Sequence, residues 1–526
     1  MSRDFQLPGR SPVIACEGMA ATSHPLASLA ALDALRAGGS AADAAVAASA
    51  TLCVVEPHMT GIGGDCFCLV SQPGKAVWGY NGSGRAGAAA SLAPLQAKGM
   101  TAIGNSIHAV TVPGALDAWE AILAAHGRFG LDRALAPAIR YAEGGFPVAA
   151  RVAWDWQRYI GKLAADPGAA KHYLFNGKAP KEGDVIRFPA LAATLKTVAA
   201  KGARAFYQGE IADDMVATLA ARGSFLSAED FARHRGEAVK PIATRYRGID
   251  LVEIPPNGQG LTALVMLNIL ENFDLSAFDP IGAERFHLVL EAARMAYAVR
   301  DTHIAEPAHM RQSVPELLDK GFAKKLAARI DMTRRTRLPS APTPGSDTIY
   351  LTVVDRDRMA VSFINSLYSH FGIGLCTERS GIMLSNRGSC FTLEPGHPNV
   401  FGADKRPMHT IIPALAMREG RCDMSFGVMG AHYQPMGHVQ IVLNMLDYGM
   451  DVQQAIDAPR FFFEGERSVV ETGTPAATVA GLQARGHDVV FAATPWGGAQ
   501  TIKIDWDRGV LIGGSEPRKD GCALGY

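Results

Sequence analysis

A hydroxyl group is a weak nucleophile until a neighbouring base takes its proton, and one solution is to use the amino group of the same residue, which requires that residue to be a chain terminus. A free α-amino group has a pKa of roughly 7.7–8, so it is partly neutral at physiological pH and serves as the base without a partner histidine. An internal threonine reaches that state by attacking the carbonyl before it, shifting the acyl group from nitrogen to oxygen and letting water hydrolyse the ester. Such a site wants an accessible loop on one side and a rigid strand on the other. Residues 333–347, TRRTRLPSAPTPGSD, carry three prolines and a glycine, the composition of an exposed, extended loop. Residues 348–365, TIYLTVVDRDRMAVSFIN, read as two strands joined at Asp355–Arg358. Thr348 stands on that boundary, and the predicted cleavage site is the bond between Asp347 and Thr348.

Other chemistries find less support. The histidines form no HExxH pattern, and the glycine-rich Gly61–Asp65 stretch lacks both GxGxxG spacing and a following GK[ST], so neither a metal nor a cofactor is expected. The 8 cysteines include no CxxC pair, and in a chain of 526 residues they read as buried free thiols. Cys66 and Cys68 are two apart, which on a strand puts both on one face.

The elements around Thr348 follow from pattern. HPLASLAALDALRAGGSAADAAVAASATLCVV, residues 24–55, predicts a buried helical hairpin broken at Gly38 and Gly39. Short strands follow from Gly61, helices dominate from Ala115 to about Ala220, and strands return before a helix near Gly260. Helices are predicted over 283–300, 314–330 and 436–448. Strands and helices in mixed order make this an α+β layered fold. Lys plus Arg equals Asp plus Glu at 51 each, which leaves no basic field for nucleic acid or an anionic membrane, so a small-molecule partner is expected. The first twenty residues hold no apolar run of the secretory type, and the expected location is the cytoplasm.

Over nearly its whole length the sequence resembles the γ-glutamyltranspeptidase family of N-terminal-nucleophile hydrolases. The resemblance is carried by GGSAADAAVAASATLCVVEPHMTGIGGDCF, VPGALDAW, PAIRYAEGGFPV, YRGIDLVEIPPNGQG and LNILENFDL, then by DTIYLTVVD, FGIGL, SGIMLSN, DKRPMHTIIPAL and LDYGMDVQQAIDAPRF. It implies a four-layer αββα sandwich in which residues 1–347 become a large subunit and residues 348–526 a small one. The two would co-fold as a heterodimer, or as a dimer of such heterodimers. By the same resemblance Thr348 is the nucleophile, Ser366 the hydroxyl that hydrogen-bonds it, and the N–H groups of Gly430 and Ala431 the oxyanion donors.

The pocket departs from the family pattern. Where the family clamps an α-carboxylate with an arginine, this chain has Ser83, with Arg85 two residues on; where an aspartate accepts the α-ammonium it has Cys390, and Arg387 replaces a neutral amide. A thiol cannot compensate an ammonium, whereas an added guanidinium favours an anion. Tyr368 replaces a small polar residue and His409-Thr410 a pair of serines, which narrows the pocket. Among relatives the oxamate amidohydrolases fit this pattern best, which implies conversion of oxamate to oxalate and ammonia, with Arg387 and Arg85 as candidate carboxylate ligands and Tyr368, His409 and Thr410 as pocket wall. The alternatives are a γ-glutamyl hydrolase or transpeptidase or a related acylase, and a non-catalytic relative acting as a binding protein.

Overall fold

Two helices that hide their small side chains set one face of the molecule. The computed structural model describes residues 6, 9–336 and 348–526. Pro25–Arg36 and Ala41–Val55 form the expected hairpin, and every residue of the second helix is buried. Ser40 and Asp43 close its start with a capping box, and Asp43 also accepts the amides of Arg128 and Phe129. Alanine at most positions lets this helix lie close against the sheet below it.

That sheet has seven strands in the order Cys522–Gly525, Met19–Thr22, Ile349–Val354, Ala360–Ser366, Asp65–Ser71, Trp78–Gly82 and Glu237–Val239. A second seven-stranded sheet runs Val13–Ala15, Val510–Ser515, Gly498–Asp505, Arg421–Met429, Ala414–Arg418, Ile249–Glu253 and Ile242–Tyr246. The two pack face to face: Thr352 Oγ1 donates to Ser425 Oγ at 2.7 Å, and the Tyr350 ring lies so near Gly427 that a Cβ there would meet it at 2.3 Å. The first sheet shares its core with the helical hairpin and the helices from Ala115 onward. The second shares its core with Gly260–Leu270, Ala283–His303 and Gln434–Leu446. Helix, sheet, sheet, helix is the αββα sandwich. Among the described residues, no helix is long and apolar enough to cross a membrane.

Some boundaries differ from the sequence pattern. The helix predicted over 314–330 is two pieces, Val314–Leu317 and Lys320–Ala327, because Ser313 and Asp319 each cap a separate start. The helix predicted over 436–448 is Gln434–Leu446, entered from a short 3-10 turn with Pro435 in its first turn. Cys53, Cys66, Cys68, Cys376 and Cys422 are buried free thiols, but Cys16 is exposed and Cys390 and Cys522 are half-buried, so burial is not general.

The described chain just before residue 337 is held by polar bonds. Glu291 accepts the Thr336 amide at 2.8 Å and Arg294 donates to the Thr336 carbonyl at 2.7 Å. Beside them His287 and His487, 200 positions apart, meet at 2.8 Å, a grouping with Glu291 that no spacing in the sequence announces. His287 Nε2 donates to the Asp331 carbonyl, so its Nδ1 accepts from His487 Nε2, and Ser468 donates to the remaining nitrogen of His487. Burial, then His287 and the charges of Arg335, Arg294 and Arg485, push His487 down to about 3. Each nitrogen and carboxylate oxygen of the trio thus has a protein partner among positive neighbours, which suits an anchor rather than a cation site. Residues 337–347, including Asp347, lie outside the described residues.

Candidate active site

Strand register brings the first residues together. Ile349 pairs with Asn365, so Thr348 falls opposite Ser366, and Ser366 in turn pairs with Asp65 on the next strand. Thr348, Ser366 and Asp65 therefore form a row across three adjacent strands, all at 0% exposure. Thr348 Oγ1 and Ser366 Oγ are 3.0 Å apart. The hairpin carrying this row is fixed at its far end: Asp355 accepts the amides of Asp357 and Met359 in the turn and that of Ala41 at the start of the buried helix.

The row leaves no room for bulk behind it. A Cβ on Gly64 would lie 2.1 Å from the Ser366 carbonyl oxygen, so glycine is required there by close backbone approach. Gly64→Ala is expected to cost about 1–3 kcal/mol of stability and, by displacing Ser366, to slow self-cleavage. Denaturant midpoints and a gel time course of fragment appearance check both effects.

Asp65, which sequence spacing does not single out, is the centre of the pocket's electrostatics. Its Oδ1 accepts the Gly84 amide at 2.9 Å and its Oδ2 accepts from His409 Nε2 at 3.0 Å, with Arg387 Nε 3.8 Å away. Burial alone would raise the Asp65 carboxyl, but the His409 bond and the Arg387 charge hold it below the usual carboxylate range. His409 Nδ1 accepts the Ile411 amide, which leaves the proton on Nε2, and burial with the nearby Arg387 charge pushes this imidazole down to about 4. The group is an ionised aspartate, a neutral histidine and an arginine.

Arg387 is buried at 0% exposure. Its Nη1 donates to Thr410 Oγ1 at 2.6 Å, and its guanidinium carbon lies 4.5 Å from the centre of the Tyr368 ring. Nε and Nη2 have no hydrogen-bond partner in the protein. A buried guanidinium with two unmatched N–H directions is a ready carboxylate fork. Thr410 and His409 come from a loop braced on residues 257–259: the His409 amide donates to the Asn257 carbonyl and Gln259 donates its own amide to the His409 carbonyl.

Arg85 does not join this group. Its side chain pairs with Glu306 and donates to the Asp404 carbonyl at 2.8 Å, and it lines a separate cavity of about 420 Å³ with Asp230, Arg233 and Asp404. Its ion pair lies away from the Thr348 row, whereas that of Arg387 is made with Asp65 in the row, so of the two candidate carboxylate ligands Arg387 is the one that reaches it. Ser83 is likewise occupied, donating to Asn81 Oδ1 at 2.6 Å.

The remaining wall is strained backbone. Tyr368 (φ 76°) and Ala431 (φ 46°) both occupy left-handed conformations without being glycine, at a cost on the order of 1–3 kcal/mol each, a cost typical of functional sites. The Tyr368 amide is held by Ser366 Oγ at 2.9 Å. Gly430, with φ 128°, ends the strand Arg421–Met429, and a Cβ on it would meet Gly497 Cα at 3.0 Å. The sharp reversal at Gly430-Ala431 is the kind of turn that presents successive N–H groups to one point. Gln259 ties both walls together, donating from Nε2 to the carbonyls of Thr410 (2.7 Å) and Ala431 (2.9 Å). Gln259 falls within the YRGIDLVEIPPNGQG motif without being singled out by it, and Arg300, which grips it, lies in none of the quoted motifs; only the fold brings them here. A cavity of about 850 Å³ beside Arg10, His24 and Lys519 includes none of these residues.

With this geometry in place, comparison with known proteins is informative. The gamma-glutamyltranspeptidase family model matches residues 27–526. The chain is 41% identical over 526 residues to the glutathione hydrolase-like YwrD proenzyme of Bacillus subtilis, covering 98% of this chain and 99% of that one. It is 35% identical over 531 residues to the oxamate amidohydrolase proenzyme of Klebsiella pneumoniae, again covering 98% and 99%. The solved cephalosporin acylase from Bacillus halodurans superposes with a TM-score of 0.93 at 38% identity, covering 100% of this chain and 99% of that one.

Proposed function

The chain belongs to the gamma-glutamyltranspeptidase family, and from that premise we propose that it cuts itself after Asp347 and then uses Thr348 to hydrolyse small amides whose acyl group ends in a carboxylate, oxamate being the shortest. It is an enzyme, an N-terminal-nucleophile hydrolase of amide C–N bonds. What carries the substrate reading is Arg387: buried, beside Asp65 in the Thr348 row, and with Nε and Nη2 unmatched. An α-ammonium, by contrast, needs an anionic partner, and where the resemblance puts the family's aspartate this chain has Cys390 in place of a carboxylate.

In the continuous chain, Thr348 Oγ attacks the Asp347 carbonyl carbon, the amide becomes an ester, and water releases residues 1–347 as a large subunit from a small subunit of residues 348–526. The freed α-amino group then takes the Thr348 hydroxyl proton as Oγ attacks the substrate amide. Ser366, 3.0 Å from Oγ1, orients the hydroxyl. The N–H groups of Gly430 and Ala431 meet the oxyanion, each contributing roughly 2.7–4 kcal/mol. The proton passes to the departing amine as the C–N bond breaks, leaving an acyl ester on Thr348. Water, activated by the same amino group, releases the dicarboxylate; for oxamate the products are oxalate and ammonia. Arg387 holds the distal carboxylate throughout.

Ammonia release from oxamate and from the longer dicarboxylic monoamides, set beside chromophore release from a γ-glutamyl anilide, tests the reading. Turnover of the carboxylate-bearing amides well above the γ-glutamyl substrate is expected. Ready turnover of the γ-glutamyl anilide with none of the monoamides would overturn the substrate assignment while leaving the nucleophile intact.

A further inference from the structure

Arg300 is fully buried on the helix Ala283–His303, and the chemistry above makes no use of it. Its Nη1 donates to Gln259 Oε1 at 2.8 Å and to His432 Nδ1 at 3.1 Å, and its Nε donates to Asp301 at 2.7 Å. The guanidinium carbon is 4.5 Å from the Tyr297 ring, whose hydroxyl donates to the His432 carbonyl. His432 is thus gripped at both backbone and ring.

An arginine has donors only, so His432 Nδ1 must accept. Burial, and then the charges of Arg300 and Arg387, hold His432 well below its ordinary range, so it is neutral. A neutral imidazole with a bare Nδ1 carries its proton on Nε2. That nitrogen lies 3.3 Å from Tyr368 Oη. The phenol oxygen therefore accepts from His432, and its own single proton must go elsewhere. Burial, and then the neighbouring Cys390, raise the Tyr368 phenol above its usual range, which keeps that proton on. A thiol is a weak acceptor and yields readily to an oxygen anion.

We propose that Arg300 and His432 are positioning residues that fix Tyr368 as a hydrogen-bond donor, and that the Tyr368 hydroxyl determines specificity by donating to the carboxylate held on Arg387. This rests on the substrate reading above. The consequence is a pocket end with three donors for the acyl group, Arg387 Nε, Arg387 Nη2 and the Tyr368 hydroxyl, while the Asp65 carboxylate beside them is occupied by His409 and the Gly84 amide. It selects an acyl group that presents acceptors and repels one that presents an ammonium.

The test compares Tyr368→Phe, His432→Phe, His432→Gln and Tyr368→Phe/His432→Phe on a carboxylate-bearing amide and on the same amide with its carboxylate methylated. Self-cleavage on a denaturing gel reports folding of each variant. Tyr368→Phe and His432→Phe should each raise KM for the carboxylate substrate roughly tenfold or more, with kcat and the methylated substrate changed little. The double variant should be no worse than either single one, and His432→Gln, whose amide keeps an N–H, should recover part of the loss. Additive effects, equal loss on both substrates, or a loss confined to kcat would overturn the proposal. A readout that needs no substrate separates its failure from that of the functional reading. Histidine 15N spectra of the wild type, with the His432 signal assigned by its absence from His432→Gln, should show the Nε2–H form, and Arg300→Met should remove that preference. An Nδ1–H form in the wild type overturns the relay whatever the enzyme hydrolyses.

Discussion

Thr348→Ala should remain one uncut chain of 526 residues and lose amide hydrolysis by roughly 10⁴-fold or more. The wild type should yield a small fragment whose N-terminal sequence begins at Thr348. In the proposed mechanism both losses come from one atom, because the same Oγ attacks the Asp347 carbonyl in the first event and the substrate in every later one. Ser366 cannot replace it: its hydroxyl sits 3.0 Å away, but it is the last residue of a strand and never becomes a chain terminus. Thr348→Ser keeps the hydroxyl and should cut slowly and turn over weakly. Time courses on denaturing gels with N-terminal sequencing of the fragments check all three proteins. A new terminus at any other residue, or cleavage of Thr348→Ala at the wild-type rate, would sink the assignment.

Replacing Arg387 should have the second largest effect. Arg387→Met should lower kcat/KM for a carboxylate-bearing amide by roughly 10²–10³, the range for truncating one partner of a buried charged hydrogen bond. Stability should fall as well, because Asp65 is then left ionised and buried with only neutral partners, His409 and the Gly84 amide, a loss on the order of 3–5 kcal/mol. Arg387→Lys separates the two effects. It keeps a charge near Asp65 but loses the planar fork, so catalysis should drop while thermal stability stays near that of the wild type. If Arg387→Lys left kcat/KM for the carboxylate substrate unchanged, the fork would not be what holds the substrate.

How much of this was legible beforehand depended on sequence distance. The strand that starts beside Thr348, the hairpin joined at Asp355–Arg358 and the helical hairpin of residues 24–55 are local patterns, and the fold keeps each of them, while most of the loop expected before Thr348 lies outside the described residues. The pocket is another matter. Asp65 and His409 are 344 positions apart, and Arg300 and His432 are 132 apart, so their meetings depend on sheet order and not on spacing. Arg85, one of two candidate ligands, pairs elsewhere for a related reason. In the glycine-rich NGSGRAGA stretch, register carries little information, and the acid that claims its charge, Glu306, lies 221 residues away. Helix ends shifted where capping side chains such as Asp319, or a 3-10 turn such as Ala431–Tyr433, overrode the apolar period.

Both sheets draw strands from either side of the Asp347–Thr348 bond: Ile349–Val354 lies between Met19–Thr22 and Ala360–Ser366, and Ala414–Arg418 lies between Ile249–Glu253 and Arg421–Met429. Cutting that bond, as proposed above, breaks no ladder among the described residues, so the native molecule should hardly register it. Unfolding is where the cut is felt. Two separate chains must then find one another again, at a rate set by dilution, and neither carries a whole seven-stranded sheet to fold upon. The endurance of the processed enzyme is accordingly governed by how slowly it opens and not by how favourably it folds.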